Sequence, residues 1–181
     1  MCRKRCHICL VFMNLNAYPS NQTIFRNIAG NPLATSLSCG FLDKEGVSQD
    51  IQNEHYDRIA MVYLLRGNGH YQDSFGISCD LTPGDVIFRC PDRRHTSSID
   101  PESQWLECFV SARKEWFTLL CDLALMNPLE PVLHLGPRPE IPERILRLIH
   151  QMEASDTVLA NSDHEFEIIA LMRQVLRRNL E

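Results

Sequence analysis

The sequence has no surplus of positive charge: 18 Lys and Arg stand against 23 Asp and Glu, a formal net charge of −5. A domain that grips nucleic acid unaided concentrates Lys and Arg to neutralise phosphates, so direct DNA or RNA binding by this chain is not expected. No apolar run approaches the ~20 residues that span a bilayer; stretches such as Ile59–Leu65 are of strand length, and no membrane partner is expected. There is no G-x-S-x-G elbow, no phosphate-cradling glycine loop and no carboxylate pair on elements that must face each other. Nothing therefore marks an enzyme's nucleophile and base.

Cysteine is present eight times but in no disulfide framework. Cys39, Cys79, Cys90, Cys108 and Cys121 are scattered singly in apolar patterns, the habit of free thiols in a reducing, cytoplasmic setting. Cys2, Cys6 and Cys9 form a C-x3-C-x2-C array, the spacing of a radical SAM cluster, but the large α/β barrel such enzymes need does not follow. A zinc site using His7 would need a fourth ligand, and the stretch reads as a dispensable extension. Ile8–Phe12 behind a basic segment is too short for a signal peptide, and no small-residue cleavage site follows.

A chain of 181 residues with 44% apolar and 23% charged residues suits one globular domain with an appendage. Its most informative stretch is Tyr63–His95. An apolar strand ends at Leu65, Arg66-Gly67-Asn68-Gly69 reverses it, a short hairpin returns, and Thr82-Pro83-Gly84-Asp85 turns into another apolar strand leading to His95. Gly67 and Gly69 can take the positive φ of hairpin turns, and Pro83-Gly84 suits the centre of a type II turn. Links this short make only antiparallel sheet. Leu33–Leu42 reads as a strand broken at Gly40, Asn14–Asn31 as a polar, turn-rich stretch, and Asn53–Asp57 as a polar approach to the central strand. Beyond Val110 the apolar period becomes helical, with a last strand at Val132–Leu135 and a final helix capped around Asn161-Ser162-Asp163.

In that order, the apolar strand, Arg66-Gly67-Asn68-Gly69, Leu81-Thr82-Pro83-Gly84-Asp85, Val86-Ile87-Phe88 and Pro91 to His95 resemble the double-stranded β-helix of the cupin superfamily. The resemblance is in particular to the amino-terminal sensing domain of AraC-type transcription regulators, and it runs over residues 36–180. It implies a mostly β fold with C-terminal α: a cupin-like jelly roll followed by two or three helices. The divisions would be an extension and arm at 1–31, part of which is an arm or first strand in the family, a barrel at 32–113 and a helical dimerisation segment at 114–181. It also implies a small-molecule effector, a sugar among the candidates, and a homodimer through the last helix at Phe166, Ile169, Met172 and Leu176. DNA would be read through a helix-turn-helix unit that this chain does not resemble.

The resemblance places the effector near His55, His95, Glu107 and Phe109, with Arg58 a competitor to His55, and Trp105 joins these candidates from the pattern of its own strand. Along the strand from Trp105, alternation puts Trp105, Glu107 and Phe109 on one face and Leu106, Cys108 and Val110 on the other. With the first set inward, two aromatic rings and a carboxylate would line the pocket; the inverse would leave it drier. Metal-binding cupins carry H-x-H and a Glu where this chain has His55, Asp57 and Ala60, so neither metal nor cofactor is expected. The alternative is a metal-dependent cupin isomerase or dioxygenase using His55, Asp57 and His95.

Overall fold

The computed structural model describes residues 14–28, 36–47 and 49–178. The Cys2, Cys6 and Cys9 array lies outside the described residues. Strands β1 (Asn21–Asn27), β2 (Ser36–Asp43), β9 (Leu106–Arg113), β4 (Arg58–Arg66), β7 (Asp85–Arg89) and β10 (Val132–His134) form a six-stranded sheet, in that spatial order. Strands β3 (Gln49–His55), β8 (Arg94–Ile99), β5 (Gly69–Asp73) and β6 (Ser78–Leu81) form a four-stranded sheet. Every pairing is antiparallel, and the two sheets enclose a jelly-roll interior. Three helices, α1 (Lys114–Asp122), α2 (Glu140–Ala154) and α3 (Val158–Arg178), cover the outer face of the larger sheet. Among the described residues no helix is long and apolar enough to cross a membrane.

The continuous apolar run of β4 follows from burial on both faces. Ile59, Met61, Tyr63 and Leu65 face outward and pack with Leu37, Cys39 and Phe41 of β2 and Cys108 and Val110 of β9 against the helices. From the helical side come Ile145, Ile149 and Met152 of α2 and Ile168, Met172, Val175 and Leu176 of α3. Each such side chain, fully buried, contributes about 1.5–3 kcal/mol. The inward residues Val62 and Leu64 join a smaller cluster with Tyr71, Leu81, Ile87, Ile99 and Trp105. The larger core thus lies outside the barrel.

Several sequence expectations change. β2 is not broken at Gly40, which pairs with Thr23 on one side and Phe109 on the other. The polar residues Asn21–Asn27 form a full strand because β2 supplies the ladder their own composition would not sustain. β3 runs through His55, so the polar approach to β4 is itself largely strand. The α3 helix begins at Val158, its first turn capped by Thr157 Oγ1, which accepts from the Ala160 amide at 3.2 Å. Asn161, expected as a cap, is buried within the helix and donates to the Asn27 carbonyl at 3.1 Å. Met172 and Leu176 are core residues rather than surface, because α3 turns that stripe toward α2 and the sheet.

Arg93, in the turn before β8, is buried. Its guanidinium donates to Asp73 Oδ2 at 3.0 Å and to the Pro128 carbonyl, and lies over the Phe75 ring. Asp73 further accepts from the Tyr71 hydroxyl and from the Phe75 and Ile77 amides. One carboxylate therefore organises the β5–β6 turn and ties it to the loop before β10.

His164 is buried on α3, among Arg26 of β1, Asp156 and Asp163. Burial first, and then the Arg26 guanidinium, hold its pKa below the usual 6.5, with the two aspartates opposing. The unfolded chain thus takes up a proton that the folded chain refuses, and this contribution to stability, complete above pH ~6.5, is lost as pH falls through the lowered folded value. Urea unfolding between pH 7.5 and 5 is expected to show stability falling with acid at up to ~1.4 kcal/mol per pH unit from this group. His164→Gln should flatten that slope.

Candidate functional site

The strand register assigns the interior layer by layer. Ser38 pairs with Ser111, Ser111 with Ala60 and Ala60 with Arg89, forming the layer nearest Arg58. The next layer is Gly40, Phe109, Val62 and Ile87, and the third contains Leu42, Glu107 and Leu64. The inward set on β9 is therefore Glu107 and Phe109, with Leu106, Cys108 and Val110 facing the helices. Small side chains in the first layer and none at Gly40 leave a cavity of about 350 Å³. Its walls include Ser38, Ala60, Val62, Arg89, Glu107 and Phe109, and its rim Phe25 of β1 with the segment Glu54–Arg58. A Cβ at Gly40 would lie 2.5 Å from the Gln22 carbonyl oxygen and 3.0 Å from the Phe109 ring, so glycine there lets both the β1 backbone and that ring approach.

The far end is closed by Trp105, packed with Leu64, Tyr71, Leu81 and Ile99. The Arg66-Gly67-Asn68-Gly69 turn makes room for it. Gly67 has φ +100, and a Cβ there would meet Trp105 Cα at 2.7 Å. Gly69 does not take positive φ; its side would meet the Ser98 carbonyl oxygen at 2.3 Å and the Trp105 ring at 2.9 Å. Trp105 therefore closes the barrel and does not line the cavity.

Glu107 is 1% exposed, a carboxylate well inside the barrel. One oxygen accepts from Trp105 Nε1 at 2.7 Å and the other from Lys44 Nζ at 2.7 Å. Lys44 reaches in from the turn after β2, where its amide donates to the Trp105 carbonyl at 2.9 Å. A buried carboxylate needs such a counter-charge, since its desolvation costs several kcal/mol.

On the same sheet, two strands from β9, Arg89 is 8% exposed, its Cζ 5.9 Å from the centre of the Tyr56 ring. Tyr56 meets His95 edge-on at 6.0 Å, and His95 stacks on Tyr71 at 6.2 Å. Burial and the Asp73 carboxylate raise the Tyr71 hydroxyl pKa, keeping it a neutral donor. This stack runs from the cavity wall to the Asp73–Arg93 pair and holds Tyr56 against Arg89.

Of the residues expected to contact a ligand, His55, Arg58, Glu107 and Phe109 line the cavity, whereas His95 and Trp105 stand behind its wall. His55 is half-exposed at the rim, 3.4 Å from Asp92, and Arg58 Nε donates to Asp57 at 3.2 Å. Among the described residues no group of three or more His, Cys, Asp or Glu could hold a metal ion. Arg89, Tyr56 and Lys44 were not expected at the site. The alternation Ile87, Arg89 on β7 would have found Arg89 once Ile87 was known to face inward; nothing local marks Lys44.

Burial pushes the Cys39 and Cys90 thiols up to about 12 and raises that of Cys108, so these are unreactive at neutral pH. A second hollow of about 670 Å³ lies on the outside, between α1 and α3. Leu120 and Ile169 form its floor, the exposed Leu119, Leu123 and Phe166 its flanks, and Arg173 and Arg177 its basic edge.

An antiparallel double sheet closed at one end by a tryptophan, open at the other into a polar-lined cavity and backed by helices, is a cupin-like jelly roll. Residues 42–176 match the AraC-like ligand binding domain, and the chain belongs to that family. Among solved structures, apo ToxT K231A from Vibrio cholerae is 10% identical, with a TM-score of 0.51 over 80% of this chain and 57% of that one. That likeness shows the fold. A cupin protein from Bacteroides fragilis is 13% identical, TM-score 0.39, covering 52% of this chain and 76% of that one. A putative mannose-6-phosphate isomerase from Ralstonia eutropha is 11% identical, TM-score 0.36, covering 55% of this chain and 94% of that one. Comparison with curated protein sequences gave no match.

Lys44→Met is expected to destabilise the domain by about 3–5 kcal/mol, because it strips the counter-charge from a buried carboxylate. Adding Glu107→Gln should recover a large part of that loss in chemical denaturation, since the amide accepts from Trp105 without a charge to bury.

Proposed function

We propose that this chain is the effector-sensing and dimerising domain of an AraC-type transcription regulator, acting in the cytoplasm, with DNA read by a separate helix-turn-helix unit. The observation that carries this reading is the half-open cavity of about 350 Å³, walled by Ser38, Ala60, Val62, Arg89, Glu107 and Phe109. Its size and its mixture of apolar surface with a few fixed polar groups suit one small molecule. His55 and Arg58 guard the entrance, Glu107 and Phe109 contact the ligand, and His95 and Trp105 hold the walls. Neither metal nor catalysis is part of the reading.

The homodimer forms through the hollow between α1 and α3. Leu119, Leu123 and Phe166 are 43%, 59% and 60% exposed there, an apolar cluster that a second copy would cover. Ile169 contributes from the floor, while Met172 and Leu176 support α3 from inside. Ligand binding biases the dimer or the β1 strand, whose Phe25 stands at the cavity rim, by the difference in affinity between two arrangements.

A thermal-shift screen against sugars, aromatic acids, amines and divalent metals tests the sensing role. Ligand at a hundredfold excess over its Kd should stabilise by about 2.7 kcal/mol, a rise of several degrees. Ala60→Leu, which fills the cavity, should abolish the shift. A shift with metals alone would instead favour a metal-dependent cupin enzyme. Light scattering should give a dimer for the native chain and a folded monomer for Phe166→Asp, a loss of at least thirtyfold in association if the ring is a hot spot.

A further inference from the structure

The β5–β6 hairpin carries a second array of reactive side chains, on the face turned away from the barrel. Along these strands Tyr71 and Leu81 are buried inward, so the alternation sends His70, Ser78 and Asp80 outward. The register sets His70 directly opposite Asp80, with Ser78, the partner of Gln72, on the diagonal and within reach of an imidazole. His70 Nδ1 lies 2.9 Å from Asp80 Oδ1, and Nε2 lies 2.8 Å from Ser78 Oγ. A carboxylate only accepts, so Nδ1 carries the hydrogen; in the neutral ring Nε2 is then an acceptor, and the Ser78 hydroxyl donates to it. No sequence motif marks the three residues; the hairpin brings them together. Ser78 also lines an open hollow of about 440 Å³ with Gln72, Ile77, Arg94 and Thr96, and this hollow shares no lining residue with the barrel cavity.

We propose that Ser78 is a nucleophile toward short-chain carboxylic esters, with His70 as its general base and Asp80 as a positioning residue. Ser78 Oγ bonds to the ester carbonyl carbon as its proton passes to His70 Nε2; the bond from that carbon to the alkoxide then breaks, and Nε2 returns the proton to the departing alcohol. Water, deprotonated by the same nitrogen, frees the acid and restores the serine, so the sum is hydrolysis with no oxidation and no cofactor. Asp80 holds the ring in the tautomer that makes Nε2 the acceptor. Gln72, exposed and opposite Ser78 in the ladder, presents a side-chain amide to the same hollow, a donor for the developing oxyanion. Ile77 is the one aliphatic side chain of the hollow, which suits a short acyl group and gives a long chain no apolar wall.

The test is hydrolysis of p-nitrophenyl acetate by the full chain, followed by mass-spectrometric mapping of the acetyl adduct, in wild type, Ser78→Ala, His70→Gln and Asp80→Asn. Ser78 and Asp80 are exposed and His70 is half-exposed, so each variant should fold, which near-ultraviolet circular dichroism confirms. Wild type should release nitrophenolate in a burst stoichiometric with the chain and carry the acetyl group on Ser78. Ser78→Ala should lose both burst and adduct, and His70→Gln should slow acylation about a hundred- to ten-thousandfold. Asp80→Asn should lower kcat and leave KM near the wild-type value. Hydrolysis that survives Ser78→Ala, or an adduct mapped only to other side chains, would overturn the nucleophile. Acylation unchanged in His70→Gln would overturn the base, and a wild-type kcat in Asp80→Asn would overturn the positioning role. A wild-type chain that neither cleaves the ester nor takes up the acetyl group would sink the proposal outright.

Discussion

The six-stranded sheet is buried on both faces, and its outer face carries most of the apolar load. Ile59, Met61 and Tyr63 of β4, with Phe41, Cys108 and Val110 beside them, are sealed by α1, α2 and α3, so the main hydrophobic core is complete without the barrel interior. The inner face is thereby released from filling space. It can carry Ser38, Gly40, Ala60 and Ser111, residues too small to fill the barrel, and the result is a cavity rather than a collapse. A barrel whose only core was its interior could not afford such a layer.

The same economy governs the buried charges. Three buried carboxylates have a fixed partner from a different part of the chain: Glu107 with Lys44, Asp73 with Arg93, and Glu165 of α3 with Arg113 of β9 through two contacts of 2.8 and 2.6 Å. Such pairs add little net stability compared with apolar replacements, but breaking one is costly, so they fix geometry. Glu107–Lys44 anchors the turn after β2 to the cavity. Arg113–Glu165 fastens the strand that carries Phe109 to the helix that carries Phe166. The cavity and the exposed α1–α3 hollow are thus built on two elements joined by a bidentate ion pair.

Much of the β architecture was legible from punctuation. Gly67, Pro83 and Gly84 mark reversals too tight for anything but antiparallel strands, and the change of apolar period after Val110 marks the helices. The reasons behind individual residues were less legible. Gly69 is required by contact with Ser98 and Trp105 rather than by a backbone angle, and Gly40, which reads as a strand break, is a paired strand residue making way for the Gln22 carbonyl and for Phe109. Asn21–Asn27 is a strand only because β2 offers an edge. The site divided in the same manner. Alternation along β9 put Glu107 and Phe109 on one face, but whether Trp105 lined the cavity or closed the barrel depended on where the distant glycine turn came to rest.

What the sequence determined by itself is what depends on near neighbours: turn positions, strand and helix periods, the antiparallel class of the sheet, and the set of apolar residues needing cover. Tertiary structure decided what depends on residues far apart in the chain. It assigned Met172 and Leu176 to the core and Phe166 to the surface, since an apolar helix with two stripes does not say which one will meet the sheet. It brought Lys44 across 63 residues to Glu107 and set Arg89 against Tyr56, because a buried charge takes whatever partner the folded chain presents to it.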